Sequence, residues 1–190
     1  MEELFQYLLT LAPLSEELQA ALVTRTVKET HRASKTLLAA GEVCSWIAHV
    51  ECGLVKVGYD VPGGDERIVQ FARAGEAVFG VGSFTTGLPS RMSVVAIEKT
   101  VIRKIYKSAI DDLIARFPAF HAHVRKIIEA HTQLIEDHYL LHLLPAKERY
   151  LNLIQSKSWL LSDRRIKDYM IADYLGFGRS TFSRFRNGKG

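Results

Sequence analysis

Five side chains close to one another late in the sequence carry a chemistry suited to the edges of base pairs: Arg179, Ser180, Ser183, Arg184 and Asn187. A guanidinium fork matches guanine O6 and N7 bidentately, and a hydroxyl is a more permissive hydrogen-bonding partner. Spacing matters as much as type. Arg179, Ser180, Ser183, Arg184 and Asn187 recur at i, i+1, i+4, i+5 and i+8, so on a helix they project from one side, where a DNA major groove can receive them.

Such a face needs an apolar frame behind it. The stretch RIKDYMIADYLGFGRSTFSRFRNGK, Arg165 to Lys189, predicts two short helices meeting at a glycine. Ile171, Ala172, Leu175, Gly176, Phe177, Phe182 and Phe185 fall where a helix-turn-helix places its apolar contacts, its small crossing residue and its turn. Residues 161 to 190 hold seven Lys or Arg against three Asp, a formal +4, which equals the excess of the whole chain (25 minus 21). A local cationic patch attracts phosphates by counterion release. The near-neutral remainder argues against a protein that coats nucleic acid along its entire surface.

Upstream, the pattern changes twice. Leu4, Phe5, Leu8 and Leu11 form a helical stripe, and Ser15 with Glu16 and Glu17 predicts a second helix start after Pro13. From Thr26 to Tyr106 short runs rich in Val, Ile and aromatics alternate with turn signals at Ala40-Gly41, Cys52-Gly53, Pro62-Gly63-Gly64, Ala74-Gly75 and Gly87-Leu88-Pro89. Trp46 to Val50, Leu54 to Tyr59, Arg67 to Phe71 and Val94 to Ile97 read as strands of an antiparallel sandwich or roll. Helix returns at Ser108 to Phe117. After Pro118 a seam of Phe120, Val124, Ile127, Ile128, His131, Leu134, Ile135, His138 and Leu141 predicts one long helix, ended by Pro145. That seam suits either a partner helix or the chain's own core. Lys147 to Lys157 predicts a further helix.

With 190 residues the chain can bury a sizeable core in one or two domains, and 47% hydrophobic against 24% charged residues is ordinary for a globular protein. Cys44 and Cys52 form no metal-type pair and read as small core residues in a reducing cytoplasm. MEELFQYLLTLAPLSEEL is acidic and amphipathic, unlike a secretion signal, and no apolar run reaches membrane-spanning length.

Roll, long helix and helix-turn-helix, in that order, resemble the Crp/Fnr family of bacterial transcription regulators. Lys35 to Glu42 (KTLLAAGE), Cys52 to Val57 (CGLVKV) and Ala74 to Gly80 (AGEAVFG) carry the likeness through the roll. The resemblance implies an α+β fold: an N-terminal antiparallel β-roll of the cyclic-nucleotide-binding type with flanking helices, a long dimerisation helix, and a helical, winged-helix-like reader. Domains of 1–117, 118–144 and 145–190 follow. It further implies a cytoplasmic homodimer on a palindromic double-stranded DNA site, with RNA polymerase as a possible further contact. Arg179, Ser180 and Arg184 fall where family members touch base edges, and Thr181 where they commonly meet phosphate; an acidic residue often stands at the position of Ser180.

By the same likeness, Gly80, Val81, Gly82, Arg91 and Met92 form the effector region. Nucleotide-binding members supply a glutamate where this chain has Val81, and an Arg-Ser pair where it has Arg91 and Met92. A buried ribose hydroxyl without its acceptor loses about 1–3 kcal/mol. Leu134 and Ile135 stand where such members present hydroxyls to the base, with Thr132 and Gln133 close by. The expectation is a roll that does not bind cAMP in the usual way and has no cofactor. His138 and His142 have a metal-like i, i+4 spacing with His121 and His123 near, but no cysteine or carboxylate completes a site, and the polar edge of a dimer helix accounts for them. A cupin-like metal enzyme on the same kind of roll is the alternative. His31 and His49, the histidines of the strand region, form no HxH pair, so no catalytic residues and no metal are expected.

Overall fold

The computed structural model describes residues 1–61 and 66–188. The Pro62-Gly63-Gly64 turn expected from sequence and Lys189 lie outside them. Helices α1 (Glu2–Leu11) and α2 (Glu16–Arg25) open the chain, and Leu4, Leu8, Leu18 and Leu22 are buried as their stripes require. Ser15 caps α2, its side-chain oxygen accepting the Leu18 amide at 3.3 Å.

Strands β1 (Thr26–His31), β2 (Thr36–Leu38), β3 (Trp46–Cys52), β4 (Leu54–Asp60), β5 (Glu66–Arg73), β6 (Ala77–Val78), β7 (Ser93–Ala96) and β8 (Thr100–Tyr106) make two four-stranded sheets, ordered β1-β8-β3-β6 and β2-β7-β4-β5. Antiparallel register pairs Thr26 with Ile105 and Trp46 with Tyr106, and a shift between Val50 and Cys52 bends β3 at its end. Gly53 follows at φ +102, and a Cβ there would lie 2.6 Å from Thr100 Oγ1, so only glycine serves this tight return. Leu38, Val50, Leu54, Val55, Val94, Ala96 and Ile102 are buried in the roll.

The strand region also holds a helix not anticipated from sequence, α3 (Val81–Thr86), ended by Gly87 in the left-handed region. Its six residues are too few to show a helical period, and Gly87 at its end reads as part of a turn. Cys44 is buried as expected; Cys52 is exposed, because the register shift turns the end of β3 to solvent.

Helix α4 (Lys107–Arg116) leads to α5 (Phe120–Leu143), then α6 (Ala146–Ser156), α7 (Trp159–Ser162), α8 (Asp168–Leu175) and α9 (Arg179–Arg186). The four-residue α7 carries no sequence period of its own. Among the described residues from 145 onward there are helices and no strand. The chain divides into two compact units, Met1–Val57 with Phe71–Thr132, and Gly58–Gln70 with Gln133–Gly190. Helix α5 therefore contributes its first half to one unit and its second half to the other.

Along α5, Phe120, Val124, Ile127, His131, His138 and Leu141 are buried, while Tyr139, Leu140 and Leu143 are 64%, 51% and 63% exposed. The histidines do not form a polar edge, apart from the exposed His121. His123 Nε2 donates to the Ala12 carbonyl at 3.1 Å, and both ring nitrogens of His131 lie 3.0 Å from carbonyls, of Ile127 and Ala77. Burial lowers the pKa of both rings, against the carbonyl hydrogen bonds, which raise it. Among the described residues no helix is long and apolar enough to cross a membrane.

Candidate nucleic-acid interface and effector region

Helix α8 buries Met170, Ile171, Ala172, Tyr174 and Leu175, and ends in a turn whose bonds are fully defined. Gly176 takes φ +67; its amide donates to Asp173 O, and the Phe177 amide reaches back to Ala172 O at 2.8 Å. This pairing closes a helix on a left-handed residue and releases the chain in a new direction. Gly178 then leads into α9 with an extended backbone.

One side of α9 is held by aromatic packing. Phe182 is 1% exposed and meets Tyr150 edge-on at 6.1 Å; Phe185 stacks on Tyr150 at 5.6 Å and lies 5.5 Å from Phe177. The opposite side carries Arg179, Ser180, Ser183 and Arg184, all exposed, with Thr181 half-buried at their margin. Asn187 lies one residue past the helix, whose last residue is Arg186. Its amide still bonds Ser183 O at 3.1 Å, so it remains beside the same face.

The cations nearby are not equivalent. Arg165 is paired to Asp163 at 2.6 Å, and Arg186 is paired to Asp168. Arg179 rests on the Tyr169 ring, 5.3 Å from its centroid. Arg184 has no ion-pair or ring partner among the described residues. These exposed pairs stabilise little by themselves. Their effect is to leave Arg164, Lys167, Arg179 and Arg184 without a carboxylate partner among the described residues.

Beneath α8 lies a cluster that the sequence does not announce. His142 Nε2 donates to Tyr174 O at 3.0 Å, Arg149 Nη1 donates to Leu175 O at 2.7 Å, and Lys157 Nζ donates to the Tyr174 hydroxyl at 2.8 Å. The His138 ring lies 4.5 Å from that of His142 and 4.8 Å from that of Tyr174. No sequence signal links a histidine to a carbonyl 32 residues away. Burial, with His142 and Lys157 adding to it, pushes the His138 pKa down to about 3 from 6.5. The folded unit thus disfavours the charged ring, and stability present above pH 6.5 falls as pH drops from there toward 3. By about pH 5 this unit should lose about 2 kcal/mol through His138. Unfolding of a Trp46→Phe protein, followed by Trp159 fluorescence across that range, measures the loss; an equal slope in His138→Leu refutes its origin.

In the roll, Gly80 is buried, its amide donating to Cys44 Sγ at 3.4 Å, and a Cβ there would come within 3.0 Å of Leu38 and 3.2 Å of Ser90 Oγ. Val81 and Met92 are half-buried, and Gly82 and Arg91 are exposed. The hydroxyls nearby are already engaged. Ser83 Oγ accepts the Cys44 amide at 2.9 Å and donates to Leu88 O at 2.5 Å; Ser90 Oγ donates to Met92 O at 2.7 Å and accepts its amide at 3.1 Å. Among the described residues no three His, Cys, Asp or Glu side chains gather as a metal site.

Comparison with known proteins agrees with this architecture. Residues 28–117 match the cyclic nucleotide-binding domain family. FixK2 from Bradyrhizobium japonicum superposes with a TM-score of 0.75 at 20% identity, over 86% of this chain and 83% of that one. A CooA variant from Carboxydothermus hydrogenoformans gives 0.72 at 20% identity, over 92% and 80%. A Crp/Fnr-family protein from Eubacterium rectale gives 0.71 at 10% identity, over 92% and 83%. No curated protein sequence matches the chain significantly.

Proposed function

We propose that this chain, which carries a cyclic nucleotide-binding domain in the fold of the Crp/Fnr regulators, is a non-catalytic transcription regulator that reads duplex DNA as a cytoplasmic homodimer. The observation that carries the reading is α9: an exposed arginine- and serine-bearing face, opposite a face pinned by Phe182 and Phe185. A helix so held can enter a major groove without disturbing its own core. On this reading Arg179 and Arg184 specify bases, Ser180, Ser183 and Asn187 complete the face that enters the groove, and Thr181 positions the helix.

A two-fold axis would present two such helices to half-sites about 34 Å apart. The exposed Tyr139, Leu140 and Leu143 on α5 favour a second copy as their cover. The division proposed is a roll at 1–117, a dimerisation helix at 118–144 and a reader at 145–190. Selection of bound genomic fragments with purified protein tests the reading. A recurring inverted repeat is expected, and fragments sharing no motif would overturn it.

The roll, in this proposal, does not take cAMP in the usual way. Val81 and Met92 cannot supply the acceptor and hydroxyl that such a ligand needs, and Ser83 and Ser90 already bond their own loop. Titration with cAMP that gave saturable heat at micromolar concentration would refute this.

Arg184→Ala should weaken operator binding by about 1–3 kcal/mol and blur one base position, with far less effect on random DNA. Equal weakening on both DNAs would show that Arg184 meets phosphate only.

A further inference from the structure

The four carbonyls that end α8 are satisfied in two ways. Ala172 and Asp173 bond the amides of Phe177 and Gly176, inside the turn. Tyr174 and Leu175 bond side chains from elsewhere: His142 of α5 and Arg149 of α6. A helix end left without donors is costly when covered, and a cation there also favours the helix dipole. Here half of that end is completed by two residues distant in sequence.

The contact extends to the turn. A Cβ on Gly176 would lie 2.8 Å from His142 Cε1 and 3.1 Å from Arg149 Nη1, so both side chains press on the turn glycine. The Arg149 guanidinium also lies 4.8 Å from the centroid of the Phe177 ring. Helix α9 starts at Arg179, so the direction it takes is set within these few residues.

Building on the DNA-reading proposal, we infer that His142 and Arg149 are positioning residues: they fix the pose of the reading helix, and through them α5 and α6 govern operator affinity. Neither belongs to the outer face of α9, and both are half-buried. A carbonyl only accepts, so His142 must carry a proton on Nε2. The contact with the Tyr174 carbonyl assigns that proton to Nε2, and burial lowers the ring's pKa.

The test uses the full chain with the operator recovered by selection. His142→Leu removes the donor and keeps bulk; His142→Gln restores an amide N–H. His142→Leu should weaken operator binding about tenfold while random-DNA affinity stays within about twofold, and His142→Gln should recover most of the loss. Arg149→Met and Arg149→Lys form a second pair with the same expected order. Nitrogen-15 NMR of the wild-type protein should show the Nε2–H tautomer at His142.

Operator affinity unchanged in both His142→Leu and Arg149→Met, or the Nδ1–H tautomer, overturns the positioning role. Loss that falls equally on operator and random DNA without rescue also overturns it. A wild-type chain that selects no sequence overturns instead the DNA reading on which it builds.

Discussion

Phe182→Ala will destabilise the unit containing α9 by about 3–5 kcal/mol, the cost of removing a fully buried aromatic ring. Phe182 is the residue of α9 that the protein encloses completely, and Tyr150 of α6 meets it edge-on. Phe185 is only half-buried and cannot take over that anchoring. A loss of this size is a large fraction of what holds an ordinary small domain folded. Helix α9 would then be detached for a measurable share of the time and, on the proposed function, operator affinity would fall with it. The two tryptophans lie in different units, Trp46 in β3 and Trp159 in α7. Denaturant unfolding of Phe182→Ala in the Trp46→Phe background should shift the Trp159 transition strongly. An unshifted midpoint would show that α9 is not held by this ring.

The second large effect belongs to Gly176→Val. Two penalties add at that position. A β-branched residue at φ +67 is strained whatever space surrounds it, and the new Cβ meets His142 Cε1 at 2.8 Å. His142 cannot swing aside without giving up the Tyr174 carbonyl. The expected loss is about 2–4 kcal/mol, with the turn between α8 and α9 opening first. Gly176→Ala should lie between Val and wild type. Adding His142→Gly should relieve the steric part and leave the backbone part. If Val and Ala are both tolerated within about 0.5 kcal/mol, the left-handed turn does not form as described.

Much of this arrangement is legible in the sequence because it depends on short-range patterns. The turn at Gly176 is marked by a glycine between two apolar runs, and Phe182 with Phe185 places the inner side of α9 opposite Arg179 and Arg184. Strands β3 and β4 follow from β-branched runs bounded by turn residues. The remainder depends on tertiary placement. His138 and His142 share a helix face by spacing alone, but spacing cannot say whether that face meets solvent, a partner or Tyr174. Arg149 looks like any helical arginine until the Leu175 carbonyl is beside it. Cys52 reads as a core residue until the register shift in β3 turns it outward. Helices α3 and α7 are shorter than two turns, too short for a period to declare itself.

The contact between Arg179 and Tyr169 gives the two arginines of the proposed reading face unequal freedom. Arg184, exposed and without an ion-pair or ring partner among the described residues, is the less constrained of the two, and ordering so long a side chain on DNA costs up to about 2 kcal/mol in entropy. Arg179 is already draped on an aromatic ring, so part of that entropy has been lost during folding. On docking, one arginine arrives prearranged and the other must be recruited. On the proposed reading, Arg179 would meet its base at a smaller entropic cost than Arg184.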